Sequence, residues 1–263
     1  MPGDSDEADR IATKELTVSF GGLKALNGLD FQLCEGEFLG LIGPNGSGKT
    51  TFFNALTGIY RPAAGSVLLH GNDITGAPPN KIYAYGITRT FQRLRLATSL
   101  SVLDNLIIGN QRNLNLGLWY NIFNRKYFKQ RLQEQIQIAE ELLSRFSRDL
   151  AVHLFKPVSS LSMIDRRRVE VCRALISEPK ILLLDEPSAG MTPDETRALM
   201  DELQHWREQY PALSIILIEH EMELINKVSD RCVVLNYGEK IAEGRYSEVS
   251  KEPGVRAAYL GED

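Results

Sequence analysis

The chain has 263 residues, of which 43% are hydrophobic and 24% charged, with a formal net charge of −4; it is long enough to bury a full core and has an ordinary globular composition. Apart from Arg166, Arg167 and Arg168 it carries no long basic run, which disfavours nucleic acid as a partner, since lysine and arginine contacts to phosphate carry most of that affinity. No stretch approaches the roughly 20 apolar residues of a membrane-spanning helix, and the three scattered cysteines, Cys34, Cys172 and Cys232, lack metal-ligand partners and suit a reducing compartment.

Residues 1–10 are acidic and polar, unlike a signal peptide, and are expected to form a disordered tail before a folded domain over 11–263. From 11 to 41 the pattern predicts short strands broken by turns: Leu16, Val18 and Phe20 alternate with polar residues, Gly21-Gly22 turns the chain, and Leu26, Leu29, Phe31 and Leu33 follow. Phe20 has two readings at this point, a strand core residue or an aromatic face on which adenine stacks.

An apolar run (Phe38, Leu39, Leu41, Ile42) then leads into Gly43-Pro44-Asn45-Gly46-Ser47-Gly48-Lys49-Thr50, followed by a helix-compatible segment beginning at Thr51. Strand, glycine-rich loop and helix start are the context of a P-loop. Backbone N–H groups of such a loop wrap a phosphate chain, Lys49 reaches the terminal phosphates, and the Thr50 hydroxyl can ligate Mg²⁺.

A further strand over 65–69 and a break at Pro78-Pro79 precede Phe91-Gln92. The pattern then turns helical, and Phe128, Leu132, Ile136, Ala139, Leu143 and Phe146 form a stripe of three- and four-residue steps that is expected to face a core. The aromatic residues of 117–126 fall outside any periodicity.

The run Ile181-Leu182-Leu183-Leu184 ends in Asp185-Glu186-Pro187, as expected of a central parallel strand covered on both faces. In a P-loop protein the acidic residue ending such a strand holds Mg²⁺, so Asp185 is assigned to the metal and Glu186 to the attacking water. A helix over 194–209 and an apolar strand over 214–218 follow, and His220 then falls on the same rim, the carboxyl ends of parallel strands. There it is assigned a contact to the γ-phosphate or its water. A hairpin and a short helix end the chain.

These pieces, in this order with Leu161-Ser162 between Gln92 and the strand that ends in Asp185, resemble the nucleotide-binding subunit of ABC transporters over nearly the whole chain. The resemblance implies an α/β P-loop ATPase domain with an antiparallel β portion and an inserted helical subdomain over 93–178, and Mg²⁺-dependent ATP hydrolysis. By the same analogy Gln92 senses the γ-phosphate and Mg²⁺, while Thr51 and Ser162 join the nucleotide contacts. Arg89-Thr90-Phe91-Gln92, Ala189-Gly190-Met191-Thr192-Pro193 and Ala258-Tyr259-Leu260-Gly261 look like the ATPases of branched-chain amino-acid importers; the urea and short-chain amide importers look similar. A non-transport ABC ATPase and a nucleotide-binding partner of low turnover are the rival readings.

Implied partners are a second ABC ATPase subunit, integral membrane permease subunits and, indirectly, a substrate-binding protein, with the chain peripheral on the cytoplasmic face of the plasma membrane. One departure from the family pattern stands out. Where the family signature is Leu-Ser-Gly-Gly-Gln, this chain has Leu161-Ser162-Met163-Ile164-Asp165. The family glycine lets backbone N–H groups at a helix start approach the γ-phosphate; Ile164 obstructs that approach, and Asp165 puts a carboxylate in the first helical turn. Ser162 and Asp165 read as a self-contained cap, partly offset by Arg166, Arg167 and Arg168, so the chain is expected to need a competent signature from a different subunit.

Overall fold

The structure, a computed structural model, describes residues 9–111 and 125–260. The tail expected over 1–10 lies outside these but for its last two residues, as do most of the aromatic segment 117–126 and Gly261. The chain divides into two units, one built from Met1–Arg89, Lys180–Glu186 and Arg207–Asp263, the other from Thr90–Pro179 and Pro187–Trp206.

In chain order the first unit carries β1 (Asp9–Phe20), β2 (Leu23–Cys34), β3 (Phe38–Ile42), α1 (Lys49–Leu56), β4 (Ala64–Leu69), β5 (Asn72–Asp73), α2 (Pro79–Ala84) and β6 (Ile87–Arg89). The second supplies α3 (Val102–Gly109), α4 (Arg125–Phe146), α5 (Arg148–Val152) and α6 (Met163–Leu175). After β7 (Ile181–Asp185) comes α7 (Pro193–Gln209), most of it in the second unit. The first unit then ends with β8 (Ser214–Ile218), α8 (Met222–Val228), β9 (Arg231–Asn236), β10 (Glu239–Gly244), α9 (Tyr246–Val249) and α10 (Pro253–Leu260).

Instead of the expected short strands, β1 and β2 are 12 residues each and form one hairpin. The apolar spacing accounts for this. In β1 the buried positions run Ile11, Thr13, Leu16 and Val18, and in β2 Leu26, Leu29, Phe31 and Leu33. Each set steps once by three rather than two, and an extra residue at each of those steps, a bulge, keeps these side chains on the buried face. Glu15 (φ 47°) and Gly28 (φ 63°) mark the irregular points. They are bonded across the hairpin region, Glu15 N–H donating to Asp30 Oδ1 at 2.8 Å and Gly28 N–H to Thr17 Oγ1 at 3.1 Å.

The antiparallel sheet has the order β2-β1-β4-β5, and a six-stranded sheet the order β10-β9-β3-β8-β7-β6. In the latter only the edge pair β10 and β9 is antiparallel. Every residue of β3, β7 and β8 is buried, which is why these strands read as unbroken apolar runs. One core joins Leu16, Leu29 and Phe31 of the antiparallel sheet, Leu41 and Leu183 of the parallel one, and Phe52 and Phe53 of α1. Phe31 and Phe52 meet edge to face with centroids 4.7 Å apart. Packing on both sides thus fixes the strand that enters the P-loop and the helix that leaves it.

The second unit is helical. A capping box starts α3, Ser101 N–H donating to Asp104 Oδ2 and Asp104 N–H to Ser101 Oγ, both at 3.1 Å. The stripe of α4 is buried at Ala139, Leu143 and Phe146 and only partly so at Leu132 and Ile136; Phe146 stacks on Trp206 at 5.7 Å. Among these apolar positions sits Gln135, itself buried, whose Oε1 accepts from Asn110 Nδ2.

Candidate active site

Because β3, β8 and β7 are adjacent and parallel, their carboxyl ends bring the segment after β3, residues 185–186 and residues 219–220 to one rim of the first unit. The P-loop spans 43–50. Gly43 (φ 149°) leaves a Cβ no room, since it would lie 2.1 Å from the Leu235 carbonyl oxygen, and at Gly48 (φ 106°) it would lie 2.7 Å from that of Ala25. Both positions therefore demand glycine.

The loop is braced from outside: Gly238 N–H donates to the Ser47 carbonyl at 2.9 Å, and Asn27 N–H to the Gly238 carbonyl at 3.0 Å. Lys49 Nζ lies along the loop and donates to the carbonyls of Gly43 (2.7 Å) and Pro44 (3.0 Å). Burial pulls its pKa down, against the pull of Glu186 and Asp185 nearby.

Three observations make this loop fit a phosphate chain. The N-cap of α1, Gly48, offers no side-chain cap, and the first turn carries no acid, so the N–H groups that a helix start leaves unpaired stay available. Among the described residues the buried Ser47 hydroxyl has no hydrogen-bond partner. The Thr50 side chain is exposed.

At the end of β7, Asp185 is buried and Arg89 Nη2 donates to its Oδ2 at 2.5 Å; burial raises its pKa despite that partner. Glu186 adopts a left-handed φ of 48°, uncommon for a non-glycine residue and typical of functional sites, and no residue pattern announces it. Its Oε1 lies 2.9 Å from His220 Nε2. The histidine expected to meet a phosphate or its water is thus bonded to the carboxylate expected to act on that water. Among the described residues no group of three or more His, Cys, Asp or Glu side chains could hold a metal by itself. A hydroxyl with one carboxylate nevertheless suits Mg²⁺, which takes few protein ligands and completes its shell with water and substrate phosphates.

Phe20 is 47% exposed at the end of β1 and meets Tyr60 edge-on at 5.0 Å. This exposure excludes the core reading left open by the sequence.

Gln92 and Ser162 belong to the second unit. The Gln92 side chain is exposed, and the residue's backbone carbonyl accepts from Arg167 Nη2 at 2.8 Å. Ser162 is the N-cap of α6; its hydroxyl accepts from Asp165 N–H at 3.2 Å and donates to Asp165 Oδ2 at 2.7 Å.

Of the three arginines expected to offset Asp165 in part, one does so. Only Arg168 touches Asp165, at 3.2 Å, while also bonding Glu202. Arg166 turns to the Ser159 carbonyl, and Arg167 is buried against Glu170 and the carbonyls of Phe91 and Gln92. Consecutive helical residues point about 100° apart, so a run of three cannot share a face.

Two family models match the chain: one described as ABC transporter over 26–189, and one described as branched-chain amino acid ATP-binding cassette transporter over 239–263. The high-affinity branched-chain amino acid transport ATP-binding protein LivG of Escherichia coli is 38% identical over 252 residues, covering 96% of this chain and 98% of that protein. BraF of Pseudomonas aeruginosa, with the same description, is 37% identical over 247 residues, 94% of this chain and 96% of its own. Among solved structures, a nucleotide-free ATP-binding cassette from an ABC transporter matches with a TM-score of 0.80 at 30% identity, over 97% of this chain and 100% of that one. The ADP conformation of an ATP-binding cassette matches at 0.81 and 29%, over 97% and 99%.

Proposed function

Because the chain belongs to the ABC transporter family, as an ATP-binding subunit whose hydrolysis of ATP is coupled to transport, we propose that it is a Mg²⁺-dependent ATPase driving import of branched-chain amino acids. The observation that carries this reading is the shared rim: an uncapped, glycine-built loop with Lys49, beside Asp185 and the bonded pair Glu186 and His220. The likeness to LivG and BraF supports the amino acid, and the match over 239–263 supports the same group.

In this mechanism the amides of the loop from Gly43 to Thr51 and the Lys49 ammonium bind the phosphates, and exposed Phe20 offers a face to adenine. Thr50 and Asp185 are the residues that would hold Mg²⁺, which when bound neutralises charge on the phosphate oxygens. Glu186 takes the proton of the attacking water, and His220, 2.9 Å away, steadies that carboxylate and the γ-phosphate. The chain works at the cytoplasmic face of the plasma membrane on permease subunits served by a substrate-binding protein; among the described residues no helix is long and apolar enough to cross a membrane.

Its ATPase partner is a different chain. Ser162 is occupied by Asp165, so this chain's signature is poor at capping a γ-phosphate, and its own P-loop takes a competent signature from the other subunit. The Glu186→Gln variant tests both statements. Turnover of the assembled transporter should fall by about 10²–10⁴-fold, the usual contribution of a general base. The variant with Mg-ATP should stay monomeric alone and dimerise when the second ATPase is added. Undiminished turnover removes Glu186 from the chemistry, and a dimer formed alone removes the need for a second chain.

A further inference from the structure

The segment from Arg89 to Gln92 stands out in the sequence, yet the mechanism above leaves its arginine unused. Arg89 ends β6, and its side chain is 5% exposed. Nη2 donates to Asp185 Oδ2 at 2.5 Å and Nη1 to Asn54 Oδ1 at 2.6 Å, while the guanidinium carbon lies 5.2 Å from the centroid of the Phe53 ring. A guanidinium is flat and presents its donors in a rigid fork, so two bonds to two anchored side chains fix its plane. Asn54 belongs to α1, the helix that begins with Lys49 and Thr50, and Asp185 closes β7. The bonds therefore tie together the three elements α1, β6 and β7.

A carboxylate as buried as Asp185, at 2% exposure, needs a partner for its charge. Arg89 supplies it from a direction set by Asn54 rather than by solvent. Ligating carboxylates are commonly oriented by a second residue that hydrogen-bonds them, and loss of that residue costs metal affinity without touching the metal.

We propose that Arg89 is a positioning residue for the divalent cation: through Oδ2 it fixes the plane of the Asp185 carboxylate, and through Asn54 it references that plane to the helix carrying Thr50. This rests on the reading of Asp185 as a metal ligand. The fork explains why arginine stands here. A lysine ammonium is a point charge on a flexible stem and cannot hold Asp185 Oδ2 and Asn54 Oδ1 in one fixed plane.

The test uses the full chain with ADP and Mn²⁺, following Mn²⁺ binding by electron paramagnetic resonance and ADP binding separately in EDTA. Arg89→Lys, which keeps the charge beside Asp185, should weaken Mn²⁺ by about tenfold or more, with ADP affinity in EDTA held within about twofold. Asn54→Ala should shift Mn²⁺ affinity in the same direction by less, and it carries the test alone should Arg89→Lys fail to fold. Asp185→Asn should weaken Mn²⁺, and adding Arg89→Lys to it should produce little further loss, as expected of two residues acting through one interaction. Unchanged Mn²⁺ binding in Asp185→Asn would remove the metal-ligand reading itself. Weakened binding in Asp185→Asn with wild-type binding in both Arg89→Lys and Asn54→Ala would overturn the positioning role and leave that reading intact.

Discussion

Helices α1 and α6 begin in opposite ways. The cap of α1 is Gly48, with no side-chain hydrogen bond and no acid in the first turn, and the next residue is Lys49. The cap of α6 is Ser162, whose hydroxyl bonds both the carboxylate and the backbone N–H of the third helical residue, Asp165. Every helix start leaves N–H groups without partners and carries partial positive charge. In α1 that potential is left for a ligand, and in α6 the chain consumes it internally. Very few side chains separate a site for an anion from a finished piece of structure.

The sharpest way to break this comparison is to give α1 the acid that α6 has. Thr51 is the third residue of α1 as Asp165 is of α6. Thr51→Asp should weaken ATP binding a hundredfold or more, because like charges brought together cost several kcal/mol. Titration with a fluorescent nucleotide reads the effect, and wild-type affinity would mean that the start of α1 is not the phosphate site. The reverse exchange is expected to act more gently. Ile164→Gly combined with Asp165→Gln should raise ATP turnover of the assembled transporter by about two- to fivefold, the worth of roughly 0.3–1 kcal/mol for a charge in the first turn. Unchanged turnover would mean that Asp165 does not limit the site.

The smallest effect concerns how the anion at α6 is itself balanced. Asp165 shares Arg168 with Glu202, and burial holds the Glu202 pKa above its ordinary value although Arg168 opposes the shift. The native state therefore keeps the Glu202 proton to a higher pH than the unfolded chain does. Its contribution to stability is present in full below the unfolded-state pKa and is lost as pH rises through the higher folded-state value. In urea unfolding at stepped pH, wild type minus Glu202→Gln should show this decline over a window just above the usual carboxylate range. A difference that is flat with pH would separate Glu202 from the balance of that helix start.

What could be read from the sequence was local. The P-loop octet, the apolar runs that became β3, β7 and β8, and the acidic and histidine residues at their ends are all defined by neighbours in the chain. The Ser162 and Asp165 cap was legible for the same reason, its spacing being that of one helical turn. The length of the first hairpin was not legible, because bulges at the three-residue steps, 13 to 16 and 26 to 29, interrupt the two-residue alternation that marks a continuous strand. The expected offset of Asp165 falls to Arg168 alone, because adjacency in sequence is divergence on a helix. Nothing local could join Asn54, Arg89 and Asp185, which meet only once three elements have packed.

The buried amides of Asn110 and Gln135 have a consequence for how α4 finds its seat. A stripe of aliphatic side chains tolerates sliding, since one turn farther along a helix of this length another apolar residue meets the same surface. An amide pair does not tolerate it. Shifted by a turn, each amide would be shut away from water and from its mate, at about 1–3 kcal/mol apiece. The pair thus acts as a dowel in an otherwise greasy joint: it adds little grip when seated and rejects every misalignment, leaving α3 and α4 a single mesh.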